Sequence, residues 1–218
     1  FIVSSDPVAC ALMKPPGFYD ADIVVGEGQP MGVAMGLSGP LVGLFACKTQ
    51  FIRQLPGRIV GRTTDHDGRG GFVMTLRTRE QDIRREKATS NICTNQALLA
   101  LCATIYLCEL GKTGLRHVAD LSLQKAHYAF QQLCAIEGVK PLFPNAKFFK
   151  EFALSLPVSP SELNTSLLQS KIVGGLDLGA YYPEFAGSSL FCVTETKTKA
   201  GIDALVSATE GVVKGGKA

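Results

Sequence analysis

The chain has 218 residues, 46% of them hydrophobic and 19% charged, and its 22 Lys and Arg against 19 Asp and Glu leave a net charge of +3. This is a globular composition with too small a positive excess to mark a nucleic-acid binder. The longest apolar run, residues 97–108, falls short of the roughly 20 residues of a membrane span, so neither nucleic acid nor a membrane is an expected partner.

The opening Phe1-Ile2-Val3 lacks a charged leader and reads as a chain cut within a strand. Residues 22–26 predict a short buried strand, residues 28–40 a Gly- and Pro-rich loop, and residues 41–46 a second strand. The β-rich segments 58–63 and 71–76 flank Asp65-His66-Asp67-Gly68, a hairpin signal. Residues 95–110 are apolar nearly all round, so a helix buried on every side is expected, stopped at Gly111.

Beyond Gly111 the pattern changes. Leu115, Val118, Ala119, Ala126, Ala129, Leu133 and Ile136 recur at helical spacing, with Thr113 as a start signal and Gly138 as a stop. Residues 139–143 and 147–156 predict strands. Ser159-Pro160-Ser161-Glu162 is a capping-box start to a helix that Gly174 and Gly175 are expected to end. A strand over 190–195 and a last amphipathic helix carrying Ile202, Leu205, Val206 and Val213 complete the order. The expectation is an α/β domain over residues 1–112 and a small α+β domain over 113–218.

The seven cysteines are odd in number and none forms a CxxC pair, which predicts reduced thiols in a reducing, cytoplasmic setting rather than a disulfide framework. His66, His117 and His127 are scattered, so no metal site is expected. Gly26-Glu27-Gly28 has Met31 where a dinucleotide fingerprint needs glycine, and Gly111-Lys112-Thr113 has Tyr106 where a phosphate loop needs one. Residues 36–39 have Pro40 where a nucleophile elbow needs glycine. The run 77–87 carries Arg77, Arg79, Glu80, Asp82, Arg84, Arg85, Glu86 and Lys87. It reads either as a solvated mixed-charge segment or as an anion site or subunit seam. The hydroxyls and amides of Thr89, Ser90, Asn91, Thr94, Asn95 and Gln96 follow it, and they fit helix capping as well as anion binding.

Asp22-Ile23-Val24-Val25-Gly26-Glu27-Gly28-Gln29-Pro30, Leu55-Pro56-Gly57-Arg58-Ile59-Val60-Gly61 and residues 84–96 resemble the P-protein family of the glycine cleavage system, glycine dehydrogenase (decarboxylating). The likeness is strongest from Asp6 to Leu110 and is to subunit 1, the alpha type, of two-subunit forms. It implies that this chain is the C-terminal part of that subunit, with the fold of type I pyridoxal-phosphate-dependent transferases. Residues 1–112 would be the end of the large domain and residues 113–218 the small C-terminal domain.

By the same resemblance the chain belongs to an oxidoreductase that is inactive without its beta subunit. The pair decarboxylates glycine through pyridoxal phosphate and passes the aminomethyl group to the lipoyl arm of the H-protein, in an alpha2beta2 assembly. The beta subunit binds the cofactor covalently. Gln29 stands where that sister subunit has its cofactor-binding lysine, so no catalytic residue is expected in this chain. Gly36, Ser38 and Gly39, together with Thr89, Asn91 and Thr94, are expected to face the cofactor at the shared site. The alternative is a purely structural partner of the beta subunit with no ligand contact.

Overall fold

The computed structural model describes residues 1–36, 39–90 and 96–215. The chain forms two units, Phe1–Gly111 and Lys112–Ala218.

In the first unit the apolar run at Ile23 becomes β2, Ile23–Glu27, the middle strand of a three-stranded sheet. Strand β1, Ile2–Ser4, runs parallel to it and β3, Gly43–Cys47, antiparallel, with Val24 between Val3 and Ala46. A separate hairpin pairs β4, Ile59–Thr64, with β5, Gly70–Thr75. Its turn is closed by Asp65, whose carboxylate accepts the amides of Asp67 and Arg69, and Gly68 takes the φ of +79° that the turn requires. Val60 opposite Met74 and Arg62 opposite Phe72 share one face of the hairpin, and that face is exposed. A four-residue helix, α1 at Gln81–Arg84, precedes the long helix α2, Ala97–Cys134.

Helix α2 is interrupted at Gly111, where φ 57° and ψ −172° lie far from helical values. By length and composition it is apolar enough to cross a membrane. The uninterrupted arm before Gly111 spans only about 21 Å at 1.5 Å per residue, against a hydrocarbon core of roughly 30 Å. The expectation that this arm is buried on every side is corrected by the structure. Leu99 and Ala103, four apart, are buried, whereas Leu98, Leu101 and Ile105 are exposed. Apolarity all round describes what surrounds a helix in its complete setting, and this chain supplies elements that cover one stripe.

In the second unit α2 continues as an amphipathic arm. Ala119, Ser122, Ala126, Ala129 and Leu133 alternate three and four apart and are all buried, and Ile136 follows just past the helix end. Ala126, Ala129, Leu133 and Ile136 share a core with a four-stranded antiparallel sheet in the order β6 Lys140–Pro141, β7 Glu151–Ser155, β9 Ser188–Cys192, β8 Leu176–Asp177. Helix α3, Pro160–Gln169, and helix α4, Lys199–Gly215, close the core with Leu163, Leu167, Ile202 and Val213. Phe130, Phe148, Phe152 and Phe191 run through it in ring contacts of 5.1–5.8 Å. Ser159 caps α3, its hydroxyl accepting the Glu162 amide at 3.1 Å.

Several expectations for this unit change: the strand over 147–156 begins only at Glu151, and that over 190–195 lies at Ser188–Cys192. The strand over 139–143 shrinks to Lys140–Pro141, although the Leu142 amide still donates to the Ala153 carbonyl at 3.0 Å. Helix α3 ends at Gln169 and not at Gly174. Lys171 adopts φ +59°, and the amide of Ile172 returns to the Leu167 carbonyl, so a lysine takes the left-handed position usually given to glycine. Gly175 serves close packing instead, since a Cβ there would lie 2.9 Å from the Leu190 carbonyl oxygen.

The segment between β9 and α4 is tied to α2. The Ser122 hydroxyl accepts the Glu195 amide at 3.1 Å and donates to its carboxylate at 3.2 Å, while the Lys125 ammonium donates to the Glu195 carbonyl. No disulfide joins the described cysteines to one another.

Candidate functional site

The loop after β2 is held shut at its base by Glu27. One carboxylate oxygen accepts the amide of Gln29 at 3.0 Å and that of Val42 at 3.0 Å, joining the two ends of the loop. Gly28 packs so close to Val42 that a Cβ would sit 2.7 Å from Cγ1. Gly32, at φ +82°, passes over Tyr106 of α2 with similar closeness. These contacts fix where the loop begins and which part of α2 it crosses. Nothing in the sequence singles out Glu27 beyond its place at the end of an apolar, half-buried strand, directly before a glycine.

Gln29 donates its side-chain amide to the carbonyls of Ala34, at 3.5 Å, and Met35, at 3.4 Å. It therefore braces the loop from within. Gly36 takes φ +48°, and a Cβ there would collide with the Gly39 carbonyl oxygen, so a side chain is excluded at 36. Gly39 borders open space. Ser38 lies outside the described residues.

The second candidate segment sits beside a cleft of about 460 Å³ whose walls include Arg58, Thr75, Arg77, Glu80, Asp82 and Ser90. Arg77 is paired with Asp82 across the rim. Arg79 is 7% exposed and reaches back to the turn before β4, Nη1 donating to the Leu55 carbonyl and Nη2 to that of Gly57 at 2.6 Å. Glu80 lies 3.1 Å from Nη2 as an ion pair, and Arg79 Nε is buried with no hydrogen-bond partner. The amide of Thr89 donates to the Arg79 carbonyl at 3.2 Å, which fastens the start of the segment to the same residue. Leu76 and Arg85 both have positive φ, 55° and 52°, backbone settings that cost of order 1–3 kcal/mol outside glycine. Strain is thus concentrated on either side of Arg79. Thr89 is exposed and Ser90 half-buried. Asn91 and Thr94 lie outside the described residues.

The cleft offers the Arg58 guanidinium and the Thr75 and Ser90 hydroxyls to an anionic group such as a phosphate. No lysine is among its described lining residues, so covalent capture of an aldehyde has no amine there. The lysines nearest the first loop are engaged elsewhere. Lys48 stands between Asp20, at 2.9 Å, and Asp22, at 2.8 Å, and those hydrogen bonds, Asp20 first, raise its pKa above the ordinary lysine value. It stays a cation and is a poor nucleophile. Asp22 is held below its ordinary carboxylate value, chiefly by its hydrogen bond from Lys48. Lys14 rests over the Phe18 ring, 4.3 Å from its centroid.

Residues 1–209 match the family described as glycine cleavage system P-protein. A probable glycine dehydrogenase (decarboxylating) subunit 1 from Desulfitobacterium hafniense is 51% identical over 206 residues, 94% of this chain and 46% of the relative. The protein of the same description from Brevibacillus brevis is 50% identical over 98% of this chain and 47% of its own length. The chain thus spans about half the length of the curated relatives it matches. Among solved structures, an inhibitor-bound glycine decarboxylase (P-protein) of the glycine cleavage system superposes with a TM-score of 0.89 at 43% identity, over 97% of this chain and 48% of that one. A cysteine desulfurase from Escherichia coli, at 17% identity and a TM-score of 0.64 over 98% of this chain and 51% of that one, shares the fold alone. The fold is that of type I pyridoxal-phosphate-dependent enzymes, and the chain belongs to the P-protein family of the glycine cleavage system.

Proposed function

We propose that this chain is the C-terminal part of the subunit of a glycine decarboxylase that lacks the cofactor-binding lysine. With a beta subunit it decarboxylates glycine and passes the aminomethyl group to the lipoyl arm of the H-protein, in a cytoplasmic alpha2beta2 assembly. The observation that carries this reading is the match of 97% of the chain to a solved glycine decarboxylase at a TM-score of 0.89. The beta subunit is the covalent holder of pyridoxal phosphate in this reading, because Gln29 bears no amine and Lys48 is locked between two carboxylates.

When bound, pyridoxal phosphate would supply the electron sink that takes up the electron pair left on glycine as its carboxylate departs as carbon dioxide. The described residues fit a phosphate better than a ring. Arg58 provides charge, and Thr75 and Ser90 provide hydroxyls of the kind that bind phosphate oxygens. In this reading Thr89, Asn91 and Thr94 extend that donor set toward the partner's site. In this reading the loop bearing Gly36, Ser38 and Gly39 forms part of the wall, and position 36 admits no side chain.

A second reading, a structural partner without ligand contact, draws on Arg77 and Arg79. Both are engaged by carboxylates of this chain, which leaves fewer cations for a ligand. The two readings separate in the full-length subunit assembled with its partner. Thr89→Ala with Asn91→Ala is expected to lower glycine-dependent carbon dioxide exchange and cofactor affinity about tenfold or more, the cost of a lost charge-assisted contact. Wild-type values in both, with the heterodimer intact, select the structural reading.

A further inference from the structure

We infer that Arg79 is a positioning residue, which holds the turn at Leu55 and Gly57 and the step at Thr89 beside one cleft and sets the distance between Arg58 and Ser90. The inference rests on the reading of that cleft as a contributor to the cofactor phosphate. Residues 55–61 and 84–96 both carried the sequence likeness, yet nothing in their order brings them together. Arg79 does so physically. Its guanidinium grips the carbonyls of Leu55 and Gly57, on the turn that delivers Arg58, and its own carbonyl holds the amide of Thr89, the residue before Ser90. Arg58 and Ser90 then face the same cleft.

Three observations assign Arg79 to positioning and not to ligand contact. It is 7% exposed, its charge is met by Glu80 at 3.1 Å, and it is absent from the cleft lining. A guanidinium is suited to this because its rigid planar fork reaches two carbonyls at once, which the single ammonium of lysine cannot do with the same geometry. The mixed-charge run therefore contains one member of a different kind: the others are exposed or lie at the rim, and Arg79 is internal. Misplacement of binding groups by about 1 Å can cost on the order of a hundredfold in rate, so a residue that only sets spacing has a measurable role.

The test uses the full-length subunit assembled with its partner, titrated with pyridoxal phosphate after the cofactor has been removed. Three assemblies are compared with the wild type: Arg79→Lys, the pair Arg58→Gln with Ser90→Ala, and the three changes together. The expected result is a loss of cofactor affinity of about tenfold for Arg79→Lys and a loss of that order or more for the pair. The triple variant should then be no weaker than the pair, since Arg79 acts through those two side chains. If the pair loses affinity while Arg79→Lys binds as the wild type does, or if the triple variant shows the product of the separate losses, the inference is overturned and the reading of the cleft stands. If the pair itself binds at the wild-type level, both are overturned. Should Arg79→Lys fail to assemble, Gly57→Ala carries the same test. It disturbs the gripped turn at φ +82° where a Cβ meets open space, and unchanged affinity there overturns the inference.

Discussion

In the second unit Leu133, Leu154, Leu163 and Leu167 are wholly shielded, whereas among the described residues of the first the buried apolar set is Val8, Ala9, Ala21, Met31, Val42, Leu99 and Ala103. Phe45, Phe72, Leu98 and Leu101 of the first unit face outward. The two units are nearly equal in length and come from one composition, so the contrast is one of arrangement. Where helix, sheet and helix all belong to the chain, an apolar stripe finds its cover locally. Where they do not, the same kind of stripe stays open. An apolar pattern thus records the surroundings of a finished protein, and only the second unit carries its surroundings with it.

The largest test of this contrast is cavity formation. Leu163→Ala in the second unit is expected to cost about 2–5 kcal/mol of unfolding free energy, measured by urea titration. Leu101→Ala in the first unit is expected to change it by less than about 0.5 kcal/mol in this same chain. A larger loss from Leu101 than from Leu163 breaks the comparison. A smaller effect sharpens it: Ser159→Ala removes the cap of α3 and should lower the stability of the second unit by about 1 kcal/mol. Amide exchange should then accelerate over Pro160–Gln169 while the β4–β5 hairpin exchanges as before.

The smallest effect concerns pH and belongs to the first unit. The folded pKa of Asp22 lies below its ordinary 3.8 because of Lys48, so its stabilising contribution is present above about pH 4 and is lost as the pH falls below that. Asp22→Asn should flatten the acid limb between pH 4 and 2 for signals from the first unit. An unchanged acid transition there would show that the pairing with Lys48 carries no linkage.

Local grammar was legible in the sequence where the chain supplies its own reason. Asp65 to Gly68 form the turn their side chains favour, and Ser159 caps the helix that its spacing from Glu162 announced. Strand β8 escaped because two residues after a pair of glycines carry no periodic signal. The end of α3 was misplaced because a lysine took a backbone setting associated with glycine. At the candidate site, Gln29 was noted for the amine it lacks, but its bracing of the loop through Ala34 and Met35 was not legible. Arg79 was hidden for a stronger physical reason. One arginine among many charged neighbours gives no sign of burial, and its partners are carbonyls more than twenty residues upstream.

The double hold of Ser122 on Glu195 has a kinetic consequence. The two residues are 73 positions apart, so the contact closes a long loop that must form against chain entropy. Local helices can form before it, but the segment leading into α4 cannot settle until α2 is in place to receive it. Ser122→Ala should therefore slow the late steps of refolding or hasten unfolding according to how early that loop closes. The ratio of those two changes would time the closure within the folding of the second unit.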